Sequence, residues 1–215
     1  MEVKESNHSY SGIIISGVNL NSSPTYRLLK TIFDFCFALA GLVITLPLLV
    51  LFCILIKLES KGPAFYTQER MGKNGKSFYI IKLRSMVTDA EVKGAQWAQK
   101  NDPRVTRIGI FIRKTRIDEL PQLINILKGD MSLIGPRPER PIFTEQFNRE
   151  ISGFTNRLAI KPGITGWAQV NGGYEITPKK KLALDIYYIE NQSFLIDFTI
   201  LIKTVKVVLT GNGAR

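Results

Sequence analysis

The chain has 215 residues, 29 Lys+Arg against 18 Asp+Glu, a net charge of +11, and 45% hydrophobic residues. That length holds one domain with a real core and leaves little room for a second. Only two cysteines occur, Cys36 and Cys53, both inside an apolar run, which excludes a disulfide framework or a zinc site and reads as buried thiols.

Residues 1–26 are polar and rich in Ser, Asn and Gly, apart from the short run Ile13 to Ile15. They lack the basic start, apolar middle and small-residue cleavage site of a signal peptide. We read them as a flexible N-terminal segment in which the lone His8 is exposed.

The run "IFDFCFALAGLVITLPLLVLFCILI", Ile32 to Ile56, comes next. As a helix it would measure roughly 37 Å, longer than a bilayer core of roughly 30 Å. Pro47 interrupts it by removing a backbone hydrogen bond. Both flanks are basic, Arg27 and Lys30 before and Lys57 and Lys61 after, and basic flanks favour the cytoplasmic side. Such a segment can span, or it can enter, bend at Pro47 and return. Asp34 is spaced for an i,i+4 pair with Lys30.

From Lys57 to Arg116 the chain carries 14 Lys/Arg against 5 Asp/Glu, a local charge of +9. A block of this kind wants an anionic partner: nucleic acid, acidic headgroups or a phosphorylated small molecule. Within it, "GPAFYTQERMGKNGKSFYIIKLRSM" reads as a hairpin turning at Asn74-Gly75. Lys82 and Arg84 have the period-2 spacing of one strand face. In "RKTRIDELPQL" an adjacent acid pair, Asp118 and Glu119, follows Arg107, Arg113, Lys114 and Arg116. Leu120, Leu123, Ile124 and Leu127 have helical spacing, with Asp118 as N-cap, Pro121 in the first turn and Gly129 as the stop. The acid pair is thus expected at the positive end of a helix, which also suits phosphate.

"GPRPER" is a stiff turn that presents Arg137 between two prolines. "KPGITGWAQVNGGY", Lys161 to Tyr174, reads as a second Gly-rich loop. GxGxxG and P-loop signatures are absent. From about Ser193 the last stretch reads as a helix with a polar stripe of Thr199, Lys203 and Lys206, lying at a membrane surface or packed on the first helix.

In this order the blocks "GPAFYTQERMGKNGKSFYIIKLRSM", "NDPRVTRIGIFIRKTRIDELPQLINILKGDMSLIGPRPE", "KPGITGWAQVNG" and "LDIYYIENQS" resemble the bacterial sugar transferases. These are monotopic polyprenyl-phosphate hexose-1-phosphate transferases, and the length is similar to that of their small core form. The resemblance runs from about Lys30 to the C-terminus. It implies an α/β, mainly helical fold, with a re-entrant N-terminal helix, a short β-hairpin and membrane-surface amphipathic helices. The segments would be 1–26, flexible; 27–57, membrane-inserted; and 58–215, catalytic, on the cytoplasmic face of the bacterial inner membrane. The implied reaction moves sugar-1-phosphate from a UDP-sugar to polyprenyl phosphate, releasing UMP, as the first membrane step of cell-surface polysaccharide synthesis, and its product would pass to downstream glycosyltransferases. Asp118 would be the nucleophile and Glu119 its catalytic partner. Mg²⁺ would sit on Glu119 with Asp118, while Lys82, Arg84, Arg113, Arg137 and Asp185 would bind substrate.

Two departures stand out. Leu46-Pro47 replaces the family's frequent Ser-Pro, with Thr45 available to back-bond the freed carbonyl. Gly173 stands where an arginine often follows "QVNG", leaving Tyr174 or Lys179 to substitute. Two rival classes are a membrane-attached nucleic-acid-binding protein, which lacks a recognised motif here, and a catalytically silent glycan-assembly scaffold. No nucleic-acid partner is expected.

Overall fold

A computed structural model describes residues 15, 17–92, 102–172 and 176–210. The expectations for His8, for most of the Ile13 to Ile15 run, and for Gly173 and Tyr174 lie outside the described residues.

Helix α1, Pro24–Glu59, is longer than the apolar run because its ends are well specified. The Ser23 side chain accepts from the Tyr26 N–H, Pro24 occupies the first turn, and the Ser60 N–H closes the last turn on the Ile56 carbonyl. The helix continues through Pro47. Proline leaves the Val43 carbonyl without its donor. The Thr45 hydroxyl does back-bond, but to the Gly41 carbonyl at 2.7 Å rather than to Val43.

Strands β1, Phe65–Met71, and β2, Ser77–Leu83, form the antiparallel hairpin expected around Asn74-Gly75, with Tyr66 opposite Lys82. Asn74 and Gly75 both have positive φ, as a tight turn here requires. Helix α2, Arg107–Lys114, starts at Thr106, whose side chain accepts from the Gly109 N–H. A 3₁₀ turn, Ile117–Gln122, leads into helix α3, Leu123–Leu127, and Gly129 at φ 82° ends it as expected.

The rest is β3, Ser132–Ile134; α4, Pro141–Glu150; β4, Gly163–Thr165; α5, Trp167–Gly172; α6, Pro178–Glu190; and α7, Phe194–Thr210. Strands β3 and β4 pair in parallel. The stretch from Lys161 that reads as a loop is therefore a short strand and a short helix.

Two cores hold the fold, and α1 enters both. Ala38 joins Ile80, Leu123, Leu133, Tyr188 and Ile200 in the first; Leu49, Phe52 and Ile56 join Leu83 and Ile112 in the second. Gly41 lets α1 approach α3, since a Cβ there would sit 3.2 Å from Leu123 Cδ1. Polar ties complete the attachment. Asp34 accepts from Ser132 Oγ at 2.7 Å and from the Leu133 N–H at 3.2 Å. Lys30 pairs at 3.1 Å with Asp197 of α7, which also accepts from the Tyr26 and Tyr188 hydroxyls at 2.7 Å each. The expected Lys30–Asp34 pair is thus replaced by partners from distant sequence.

The opposite face of α1 is bare and apolar, with Val43 66% and Ile44 76% exposed. Cys36 lies exposed on α1 and Cys53 is half-buried, so neither is the enclosed thiol expected. In α2, Ile110 and Phe111 are also exposed, as are Leu195, Phe198, Ile202 and Val205 in α7. Apolar surface on this scale marks an interaction or membrane face. Among the described residues α1 is the one helix long and apolar enough to cross a membrane.

Candidate active site

The acid pair lies in the 3₁₀ turn, not at the α-helical N-cap expected for Asp118. Pro121 has no N–H to offer the Ile117 carbonyl, so that i,i+4 bond is missing at the head of the segment. The chain closes instead through i,i+3 bonds, the Glu119 N–H donating to the Arg116 carbonyl at 3.1 Å. The capping position belongs to Arg116, held at φ 57°. A left-handed arginine costs about 1–3 kcal/mol and is typical of functional turns.

A second device aims the pair at the hairpin. Asn125 of α3, buried, accepts from the Ile81 N–H at 3.0 Å and donates to the Tyr79 carbonyl at 2.8 Å, replacing a strand neighbour on the β2 edge. This lock places Lys82 over the turn. Nothing in the sequence pattern marked Asn125 beyond a polar residue on an apolar helix face.

Glu119 is held by three cations. Its Oε1 accepts from Lys82 Nζ at 3.0 Å and from Arg137 Nη2. Its Oε2 has looser neighbours, Arg137 Nη1 at 3.4 Å and Arg116 Nη1 at 3.8 Å. Burial opposes its charge, but Arg137 and then Lys82 override that and hold it well below the usual carboxylate range. Asp118 is equally buried, each residue being 8% exposed, yet its carboxylate has no hydrogen bond or ion pair among the described residues. Burial pushes it up to about 6; Lys82 pulls it down, Glu119 pushes it further up, and Arg137 and Arg113 lower it.

Of the expected residues, Lys82, Arg113 and Arg137 thus gather at the acid pair, although Arg113 acts through its charge rather than a bond. Arg84 does not join them. Its guanidinium donates to the Lys61 carbonyl at 2.6 Å and the Ser60 carbonyl at 2.8 Å, clasping the end of α1. Strand alternation gave the shared face with Lys82, and the Arg84 N–H still continues the ladder onto the Ala64 carbonyl at 2.8 Å, but its side chain is spent on the end of α1. Asp185 is fully enclosed and accepts from Arg157 Nε at 3.0 Å and Nη2 at 2.7 Å. Arg157 Nη2 also donates to the Arg137 carbonyl at 2.8 Å. Asp185 therefore acts behind the turn that carries Arg137. Arg157, Glu139 and Lys181 complete this rear cluster, and no local signal in the sequence foretold it. Lys181 and Arg157 hold Glu139 down to about 2 against the opposing effect of burial.

The glycine-rich segment aims the same turn. The Gly135 N–H donates to the Thr165 carbonyl at 2.8 Å and the Gly163 N–H to the Pro136 carbonyl at 3.0 Å. A Cβ on Gly163 would lie 2.1 Å from Gly135 N. These strands can approach only as glycine, and their contact fixes Pro136 ahead of Arg137.

The arrangement offers a buried carboxylate with no partner among the described residues, set among guanidinium and ammonium groups that can neutralise a phosphate. For Mg²⁺ the donor set fits in one place. Glu119 Oε2 is loosely held, and a hard cation takes one or two carboxylates together with substrate phosphate oxygens.

A family model described as "Bacterial sugar transferase" matches residues 25–211. A Bacillus subtilis (strain 168) protein, provisionally named an undecaprenyl-phosphate N-acetylgalactosaminyl 1-phosphate transferase, is 68% identical over 133 residues, 62% of this chain and 74% of its own length. The UDP-N-acetylgalactosamine-undecaprenyl-phosphate N-acetylgalactosaminephosphotransferase of Aeromonas hydrophila is 48% identical over 92% of this chain. The UDP-glucose:undecaprenyl-phosphate glucose-1-phosphate transferase of Escherichia coli (strain K12) is 41% identical over 89% of it. The chain spans 47% and 41% of the length of these last two.

Proposed function

The chain belongs to the bacterial sugar transferase family, and from that premise we propose that it transfers a sugar-1-phosphate from a UDP-sugar to undecaprenyl phosphate, releasing UMP. The observation that carries this reading is the contrast inside the acid pair: Glu119 is paired with Lys82 and Arg137 through Oε1, while Asp118, equally buried, has no partner among the described residues. N-acetylgalactosamine is the proposed sugar, supported by the names of the Bacillus and Aeromonas relatives. The reaction would open the membrane stage of cell-surface polysaccharide synthesis and feed later glycosyltransferases.

An oxygen of Asp118 attacks the sugar-bearing phosphorus. A carboxylate–phosphorus bond forms, the bond to the nucleotide's phosphate breaks, and UMP leaves with the electron pair. The lipid phosphate then attacks the aspartyl-phosphosugar and expels the carboxylate, so two displacements replace one. Anion attacks anion in both, which demands charge cancellation. Arg137 can turn its fork from Glu119 to a phosphate, and Lys82 and Arg113 supply further positive charge at Asp118. Mg²⁺ is the proposed cofactor: Glu119 would hold it beside the substrate's phosphate oxygens, where it supplies neutralisation of their charge.

In the membrane arrangement we infer, α1 enters and leaves by one face, bending at Pro47. Both of its ends are tied to the same domain, through Lys30–Asp197 and Arg84–Ser60. A 36-residue helix of roughly 54 Å crossing perpendicularly would carry one of those ties to the far side. The exposed apolar residues of α2 and α7 would rest on the same, cytoplasmic surface.

The test offers purified protein a panel of UDP-sugars with undecaprenyl phosphate and Mg²⁺ and measures UMP. UDP-N-acetylgalactosamine should give the fastest release. Release no greater than that of Asp118→Asn for every sugar would overturn the reading.

A further inference from the structure

We propose that Arg70, together with Arg137, holds a second phosphate group beside the one that Asp118 attacks. The proposal deepens the transferase reading and rests on it. The observation behind it is a guanidinium with no ion-pair partner of its own among the described residues. Arg70 lies opposite Phe78 in the hairpin, so its side chain shares the sheet face of Phe78, Ile80 and Lys82. The next residue, Met71, donates its N–H to the Glu139 carbonyl at 2.8 Å, which sets Arg70 against the Pro136–Arg140 turn.

Each of the other cations around this turn has its carboxylate. Lys82 and Arg137 share Glu119, Arg140 pairs with Glu91, Arg157 with Asp185, and Lys181 with Glu139. The Arg70 side chain makes no hydrogen bond or ion pair among the described residues, and its Nη1 is enclosed without a partner. Burial pushes it down to about 10; Glu139 pulls it back up, and Arg137 and Arg140 press it down further. Glu139 is already committed to Lys181 and Arg157.

A guanidinium whose Nη1 is enclosed with an unused donor is costly unless an anion meets it. Its planar fork matches phosphate in two-point contact. Arg137 feels Glu119, Glu139 and Asp118, and it is among the cations that press on Arg70, so the two guanidinium groups are electrostatic neighbours beside the acid pair. A second phosphate beside the reacting one would fall between the two arginines. Two sources carry that group: the nucleotide-side phosphate of the UDP-sugar and the phosphate of the lipid acceptor.

The experiment uses the full chain in detergent with Arg70→Gln and Arg70→Lys. One arm measures exchange of labelled UMP into UDP-N-acetylgalactosamine without lipid; the other measures the KM for undecaprenyl phosphate at saturating donor. A nucleotide phosphate at Arg70 would raise the UMP and donor half-saturation constants about tenfold or more in Arg70→Gln, leaving the lipid KM unchanged. A lipid phosphate would give the reverse pattern. In either case Arg70→Lys falls between Gln and wild type, and it carries the test if the Gln variant melts early. Half-saturation constants within about twofold of wild type in both arms would overturn the proposal. Failure of the transferase reading looks different: wild type itself would release no UMP, and the subsite would fall with it.

Discussion

Two acid–cation clusters lie on either side of the Pro136–Glu139 turn and use the same residue types to different ends. In the rear cluster, Asp185 and Arg157 are 1% and 2% exposed, and Glu139 is clamped by Lys181 and Arg157. Every carboxylate there has a cation. In the front cluster one carboxylate, Glu119, takes three cations, and its neighbour Asp118 pairs with none among the described residues. The difference teaches that burial and charge type do not make a site; an unequal division of partners does. The clusters are also joined, because Arg157 grips the carbonyl of Arg137, whose guanidinium serves the front.

The largest effect that could break this contrast is at Asp118. Asp118→Asn should lower UMP release by about 10⁴-fold or more, as loss of a nucleophile does, and leave Tm nearly unchanged because the carboxylate holds nothing in place. A large drop in Tm would make Asp118 a structural acid like those behind it. Next comes Asp185→Asn, which strands a buried arginine. It should cost about 3–5 kcal/mol of stability, read as a Tm lowered on the order of 10 °C, with activity lost through misplacement of Arg137.

Smaller effects sharpen the comparison through pH. Asp118 must be ionised to attack, so kcat/KM should climb with pH through about 6 and level off above it. In Glu119→Gln a negative neighbour disappears and Lys82 and Arg137 are released, so the inflection should move to lower pH while the maximum falls. An unmoved inflection would mean that some other group titrates. Glu139 behaves oppositely: its stabilising contribution is complete above its ordinary value of 4.5 and is lost as pH falls through about 2, visible in acid unfolding. The smallest change expected is Arg84→Met. It removes the clasp on Ser60 and Lys61, costs about 1–3 kcal/mol in thermal unfolding, and leaves the donor KM unaltered.

Much of this was legible where chemistry is local. Asn74-Gly75 announced the hairpin, the spacing from Leu120 to Leu127 marked a helical segment, and the adjacent Asp118 and Glu119 stood out among arginines. Local rules failed where a distant partner won. Lys30 and Asp34 have i,i+4 spacing, but Asp197 and Ser132 lie closer to them in space. Asp118 looked like an N-cap because Pro121 fits a first turn, but the cap position falls two residues earlier, at Arg116 with its positive φ. Strands β3 and β4 have three residues each, too few for alternation to show. Arg157 and Asp185 sit 28 residues apart with no pattern linking them.

Trapping the covalent intermediate tests the central claim most directly. Purified protein incubated with UDP-N-acetylgalactosamine and Mg²⁺, without lipid acceptor, would be digested and its peptides fragmented in a mass spectrometer. The account predicts a phospho-N-acetylgalactosamine adduct on Asp118, discharged by undecaprenyl phosphate. An adduct on Glu119, or steady UMP release on adding lipid with no adduct anywhere, would contradict it.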